Sequence, residues 1–476
     1  LIYRNNVRQG MRLLCGLFPL QNNADEKSEP SESRFTSTRK AGMGLKHFQL
    51  AWTPPMGWNS WDCYGASVTE DEVRGNAEYM ARYLKPFGWE YVVVDIQWYE
   101  PSADSSKYHA FAPLVMDEYS RLLPAPERFP SAAKGQGFRP LADYVHSLGL
   151  KFGIHIMRGI PRQAVHANTP ILGTDKRARD IAHTNSICPW NTDMYGVDAH
   201  KEGAQAYYDS LFALYAEWGV DFVKVDDIAA SRLYDCHPDE IRMIRRAIDK
   251  NGRPMVLSLS PGPAPLEYAE LFRKHANMWR MTDDFWDDWH LLRAMFERCE
   301  KWMVHSGPGH WPDADMLPLG HIGIRNVDAG GDRWTRFTKD EQVTLMTLWV
   351  IFRSPLFFGG ELRDNDAWTW SLLTNEEVLT VHRQSYGNRQ VYRDEDRVCW
   401  MAYAPSGDIY VALFNLSDVP ATIDVSFPEL GVASGRFWVR DLWAREDLGE
   451  RTDGLEPKIP AHGAVLYKLS STEASI

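Results

Sequence analysis

No run in this 476-residue sequence approaches the roughly 20 consecutive apolar residues that a membrane-spanning helix takes. Cysteine is sparse and scattered. Cys15, Cys63, Cys188, Cys236, Cys299 and Cys399 include no C-x-x-C pair and no close spacing, so neither a zinc knuckle nor a disulfide scaffold is visible. They read as mostly buried free thiols in a reducing compartment, which predicts a cytoplasmic protein. Positive charge is in deficit: with 52 Lys+Arg against 64 Asp+Glu the formal net charge is −12. That balance argues against a nucleic-acid or anionic-membrane partner, which would need a basic face. No Gly-x-Gly-x-x-Gly follows an early strand, which removes the main reason to expect a dinucleotide fold.

What is abundant is tryptophan, 19 residues of it. Indole rings offer large, flat surfaces of low conformational entropy, and the excess hints at a carbohydrate or another flat, partly apolar ligand. Hydrophobic residues at 44% and charged residues at 24% match ordinary globular proteins, and the length suits a large core domain plus a satellite. Residues 1–42 stand apart as a disordered or non-native leader, with Met43 as the natural start. Met11–Leu20 resembles a very short signal h-region but lacks a small-x-small cleavage site, and Leu14 stands where a lipoprotein pattern needs a small residue before Cys15.

From Thr53 to about Gly360 short apolar runs alternate with longer amphipathic ones. Strands are predicted at Met56–Trp61, Tyr91–Trp98, Leu150–Met157, Phe222–Asp227, Met255–Ser260, Asn277–Thr282, Gly309–Asp315 and Leu348–Phe352. Between them, apolar residues recur at three- and four-residue steps, as in Asp71–Phe87, Glu202–Trp218, Pro238–Lys250 and Thr338–Thr347. Gly88, Gly149 and Gly219 supply left-handed helix stops just before strands. Eight strands alternating with helices predict an α/β fold, a (β/α)8 TIM barrel over residues 43–384. After about residue 385 helix-length patterns vanish and short strands separated by turn residues take over. This predicts a C-terminal antiparallel β-sandwich domain at 385–476.

Barrel chemistry collects at the C-terminal ends of the strands, and these ends are polar here. In Phe222-Val-Lys-Val-Asp-Asp227 the period-two alternation puts Val223 and Val225 on one face and Lys224 and Asp226 on the other. A Lys and an Asp pointing into a barrel are costly unless partnered, either as a brace or at a working mouth. Trp279–Trp289 holds four carboxylates within six residues, interleaved with aromatics. Tyr91–Trp98 delivers Asp95. Acids from three strand ends on one rim suggest paired-carboxylate chemistry, one acid attacking and a second, protonated, donating to the leaving group.

Pro54-Pro-Met-Gly-Trp-Asn-Ser-Trp61, Val94-Asp-Ile-Gln-Trp98, Lys224-Val-Asp226, Arg280-x-x-x-Asp284 and Gly307-Pro-Gly-His-Trp-Pro-Asp-Ala-Asp-Met316 together resemble glycoside hydrolase family 27, the α-galactosidase family. The motifs run in family order from about Trp52 into the β-domain. The resemblance implies a retaining exo-glycosidase that needs no metal or other cofactor and acts on a small carbohydrate glycoside. It implies Asp226 as nucleophile and Asp284 as acid/base. It also implies substrate-binding roles for Trp61 and Trp98 as pocket walls, Asp95 and Arg280 as hydroxyl ligands, Lys224 beside the nucleophile, and Asp315 in the last motif. His155 aligns with a position that is often Tyr and is assigned to the pocket on that ground.

Two departures from the family pattern bear on the substrate. Most α-galactosidases carry two adjacent acids where this chain has Asp95 and Ile96, and the second usually binds the C6 hydroxyl of galactose. An apolar Ile96 removes that partner, which suits a β-L-arabinopyranoside, the same ring without C6, with α-D-galactosides as weaker substrates. The alternative is that Ile96 faces the helices and the chain is an α-galactosidase proper. Ser260, in Leu257-Ser-Leu-Ser-Pro-Gly262, replaces a family Glu. A small residue there also accompanies α-N-acetylgalactosaminidase specificity, which Pro261 and Gly262 fit poorly. Rivals of another class are a metal-dependent TIM-barrel hydrolase drawing on His305, His310, Asp313, Asp315 and His321, and a non-catalytic sugar-binding protein. Self-association into a homo-oligomer stays open.

Overall fold

The computed structural model describes residues 46–472 apart from 232, 234, 329, 433 and 434. The expected leader, 1–42, lies outside the described residues. Strands β1 (Met56–Asn59), β2 (Tyr91–Val94), β3 (Lys151–Met157), β4 (Phe222–Asp226), β5 (Val256–Leu259), β6 (Met278–Arg280) and β7 (Trp311–Asp313) pair in parallel, each with its sequence neighbours, and β8 (Leu356–Phe358) pairs in parallel with β1. After β7 the chain continues to Leu317, which bridges Phe358 in parallel and donates its N–H to the Phe357 carbonyl at 2.7 Å. That contact links the two ends of the strand order into a ring.

Between consecutive strands run α1 (Glu70–Tyr79), α2 (Arg139–Ser147), α3 (Ala204–Trp218), α4 (Pro238–Asn251), α5 (Ala269–His275), α6 (Trp289–Trp302) and α7 (Lys339–Phe352). The anticipated glycine stops are left-handed, with φ of 97° at Gly88, 72° at Gly149 and 85° at Gly219. One predicted strand is corrected. Leu348–Phe352 is the last turn of α7, a helix nucleated by a capping box between Thr338 and Glu341, and the eighth strand is the following Leu356–Phe358. A short apolar run buried on all sides carries no periodicity to separate strand from helix.

Period-two alternation sorts the barrel into layers. Val92, Val94, Ile154, Ile156, Val223, Val225, Leu257 and Leu259 point outward and merge with the helices in one large apolar cluster. Tyr91, Val93, Phe222, Val256, Met278, Trp311 and Phe357 point inward and fill the lower barrel. Gly57 keeps β1 close to β2, because a Cβ there would meet the Tyr91 carbonyl at 2.4 Å. Above the apolar plug the inward positions turn polar: Asn59, His155, Lys224, Ser258, Arg280 and Asp313, all at or near the C-terminal ends of their strands. With the lower half already packed, groups with chemistry can stand only at the mouth.

The chain then forms a six-stranded antiparallel sheet, β9 (Tyr386–Arg393), β10 (Arg397–Tyr403), β11 (Ile409–Asn415), β12 (Phe437–Asp441), β13 (Glu446–Arg451) and β14 (Ala464–Ser471), in the order β9-β10-β11-β14-β12-β13. Two short ladders, Ala421–Thr422 with Lys458–Ile459 and Val425–Ser426 with Gly454–Leu455, cover one face around Met401, Val411, Leu413, Val439 and Leu469. The other face carries Trp400, Ala412, Phe414 and Leu466 into the barrel's own cluster against α7. Cys63, Cys188, Cys236, Cys299 and Cys399 are buried free thiols. Among the described residues no helix is long and apolar enough to cross a membrane.

Candidate active site

The mouth of the barrel opens into a cavity of about 430 Å³, within the range of small-molecule sites. Asp95 stands one residue past β2, Lys224 and Asp226 end β4, Arg280 ends β6, Asp284 lies in the loop beyond it, and Asp315 stands two residues past β7. All line the cavity, together with Trp61 and Ile96. Eight of the residues singled out from sequence therefore converge on one space.

Asp226 is held from two sides. His155 Nε2 lies 3.0 Å from Oδ2, and the backbone N–H of Asp227 donates to Oδ1 at 2.9 Å. Burial on its own would raise this carboxyl. The His155 contact and the Lys224 ammonium more than offset it, leaving Asp226 below the usual carboxylate range and ionised. With a carboxylate that only accepts, His155 Nε2 must be the donor.

Lys224 Nζ donates to Asp95 Oδ2 at 2.9 Å, and Asn59 Nδ2 donates to the same oxygen at 2.7 Å. Burial would raise Asp95 as well, yet Lys224, His155 and Asn59 bring it down to about 2. Across the cavity Arg280 bridges two acids, with Asp315 Oδ2 at 2.8 Å and Asp284 Oδ1 at 3.1 Å. Burial pulls Asp315 up and Arg280 pulls it down, the net direction being upward. Asp284 differs from the other acids in exposure: its side chain is 58% accessible, against 13% for Asp226. The cavity thus pairs a sunken, ionised carboxylate at the end of β4 with an accessible acid in the loop beyond β6.

Three predicted pocket residues are placed elsewhere. Trp98 is fully buried behind the wall, donating Nε1–H to the His155 carbonyl at 2.7 Å and packed edge-on against Tyr99, Phe138 and Trp218. The chain leaves β2 at Val94 and turns, so Trp98 points back into the helix layer. His155 is also fully buried and reaches the cavity only through Asp226, so it positions a carboxylate instead of lining the space. Ser260 lies under the wall, its carbonyl accepting from the N–H groups of Ile228 and Ala229, and it is Pro261 and Gly262 that face the cavity. Asp227, opposite Asp226, braces the loop through Arg158 Nη2 at 2.9 Å.

Sequence reasoning missed Asp62, Tyr108, Trp190 and Trp286. Tyr108 stacks on Trp61 with centroids 6.1 Å apart and touches Trp190 at 5.7 Å, forming an aromatic wall above Asp226. The surplus of tryptophan was its only signal. The residues a metal-dependent reading would use are dispersed. His310 Nδ1 faces the His305 carbonyl, His321 sits between Asp332 and Asp364, and Asp313 lies in the barrel interior. Among the described residues no group of three or more His, Cys, Asp or Glu is arranged to hold a metal ion.

Comparison with known proteins gives a consistent result. Residues 53–201 and 190–384 match the family model described as alpha galactosidase A, and 394–469 match that of the alpha galactosidase C-terminal beta sandwich domain. The crystal structure of a GH27 β-L-arabinopyranosidase from Geobacillus stearothermophilus is 70% identical, covers 91% of this chain and 100% of its own, and superimposes with a TM-score of 0.90. A variant of that protein has been solved in complex with arabinose. Alpha-galactosidase 3 of Arabidopsis thaliana is 29% identical over 440 residues, 90% of this chain and 84% of the relative. Human alpha-galactosidase A is 28% identical over 454 residues, 89% and 90%.

Proposed function

Because this chain belongs to glycoside hydrolase family 27, the α-galactosidase family, we propose that within that glycosidase class it is a retaining exo-enzyme for terminal β-L-arabinopyranosides, with α-D-galactosides as weaker substrates. Asp226 attacks the anomeric carbon and forms a glycosyl-enzyme. Asp284 protonates the departing oxygen and then, as base, takes a proton from the water that releases the sugar. The electrostatics support these roles. Asp226 is ionised and anchored by His155, Lys224 holds Asp95 as a fixed acceptor for a sugar hydroxyl, and Asp284 stands where proton exchange with solvent is easy. Arg280, tied to Asp284 and Asp315, is placed to meet a hydroxyl next to the anomeric centre.

The observation that carries the substrate choice is Ile96. Strict alternation along β2 would send it to the helices, but the chain turns after Val94, and Ile96 is among the residues lining the cavity beside Asp95. A galactoside would bury its C6 hydroxyl against this apolar surface without a partner, at a cost of about 1–3 kcal/mol, whereas an arabinopyranoside has no C6 to place. The deciding experiment compares kcat/KM on nitrophenyl β-L-arabinopyranoside and nitrophenyl α-D-galactopyranoside. The native enzyme should favour the pentoside. Ile96→Asp should shift the ratio towards the galactoside by about tenfold or more, and an unmoved ratio would refute the assignment.

The His155 contact sets the pH response. The nucleophile must be ionised, so the acid limb of kcat/KM follows Asp226, which His155 and Lys224 hold low. Removing the donor in His155→Leu leaves burial, which raises the carboxyl, less opposed. The acid limb should then move to higher pH in a pH–rate profile, and an unmoved acid limb would show that His155 does not hold this carboxylate ionised.

A further inference from the structure

We propose that Asp62 is an additional sugar-binding residue of this site, a carboxyl group whose hydrogen-bond partner is a hydroxyl of the bound pyranose. The inference rests on the reading of the cavity as a pyranose site and extends it to a residue outside the motifs quoted above. Asp62 follows the wall residue Trp61 in the short helix Trp61–Tyr64, and its side chain lines the cavity while the residue is only 3% exposed. Among the described residues its buried Oδ2 has no hydrogen-bond partner. Every other acid of the inner cavity is engaged: Asp95 with Lys224 and Asn59, Asp226 with His155, Asp315 with Arg280 and the backbone N–H of Phe285. Buried polar atoms are almost always satisfied, and one left open beside a ligand cavity points to the ligand.

The fold makes room for this carboxyl. Gly359, just past β8, lies so close that a Cβ on it would come 1.9 Å from Asp62 Oδ2 and 2.8 Å from Asp62 Cβ. An acid in the first turn of a helix is ordinarily explained by the backbone N–H groups there, yet no hydrogen bond from such a group to Asp62 is formed. Burial first, then the neighbouring Asp315, raise the Asp62 carboxyl well above its usual range, which favours its protonated form. A neutral carboxyl offers one O–H donor and one carbonyl acceptor, the same dual capacity as a sugar hydroxyl. The site then holds two kinds of acid for sugar recognition, an ionised acceptor in Asp95 and a neutral donor-acceptor in Asp62.

Asp62→Leu tests this directly, because leucine keeps the branched outline of aspartate, with two methyl groups in place of the two oxygens, but offers no hydrogen bond. With no partner for Oδ2 in the ligand-free protein, the variant should melt within a few degrees of the native enzyme. Its KM for nitrophenyl β-L-arabinopyranoside and its inhibition constant for free L-arabinose should both rise about tenfold, with kcat changed less. Asp62→Asn, which keeps a donor and an acceptor, should recover most of that affinity. Unchanged arabinose inhibition in folded Asp62→Leu would overturn the proposal while leaving the pentoside reading intact. Should the leucine variant not fold, Asp62→Ala is judged by the same two constants, and failure of both to fold would mark the carboxyl as structural and end the proposal. A native enzyme that neither binds L-arabinose nor turns over either pyranoside would instead bring down the reading of the cavity itself.

Discussion

Asp226→Ala is expected to remove turnover, lowering kcat on the order of 10⁴-fold or more, because in the proposed mechanism it is this carboxylate that forms the glycosyl-enzyme bond. The loss should fall on chemistry and not on folding. His155 loses the acceptor of its Nε2–H, a cost of about 1–3 kcal/mol that a domain of this size can bear, and Lys224 keeps Asp95 as partner. L-Arabinose should still bind, measurable by calorimetry. Added azide fits the volume vacated by the carboxylate and attacks from the same face in a single displacement. It should therefore restore turnover and yield a glycosyl azide of inverted anomeric configuration, identifiable by NMR. A variant that keeps more than about a hundredth of native activity would rule out Asp226 as nucleophile.

Asp284→Ala should show a different signature, a loss that depends on the leaving group. A departing sugar or alkyl alcohol needs the proton, and its glycosides should slow by about 10²–10⁴-fold. A dinitrophenolate departs without help, so its formation of the glycosyl-enzyme should be nearly unaffected. Release of the sugar, which needs the base, then becomes limiting and an initial burst of phenolate appears. The side chain is exposed and, among the described residues, bound only through Arg280, so thermal stability should barely change. Equal losses across leaving groups would remove Asp284 as the proton donor.

The site was legible where a motif lies on a regular strand. Along β4, alternation alone puts Lys224 and Asp226 on the inward face, and the structure finds them there beside Asp95. Legibility ended where the chain leaves the strand. Past Val94 the parity of positions no longer says which way a side chain points, so Trp98 is taken for a pocket wall although it sits behind His155, while the direction of Ile96 stays undecided. Ser260 fails for the same reason, one residue beyond β5. Asp62 was invisible because one acid in a helix's first turn has a ready dipole explanation. The barrel count came out right even though the eighth strand was misplaced, since the apolar end of α7 and the strand after it are both buried runs. In the β-domain the exposed edge strand Glu446–Arg451 has no apolar alternation to announce it.

The sheet built from β10, β11 and β14 turns one apolar face to its own short ladders and lends the other to α7, whose C-terminal end leads directly into β8. The C-terminal domain is thus a buttress against the flank of the ring, seated on the helix that feeds the last stave. Severed after Gln384, the barrel would be left with a raw oily scar along that seam, so the two parts stand or fall as one masonry.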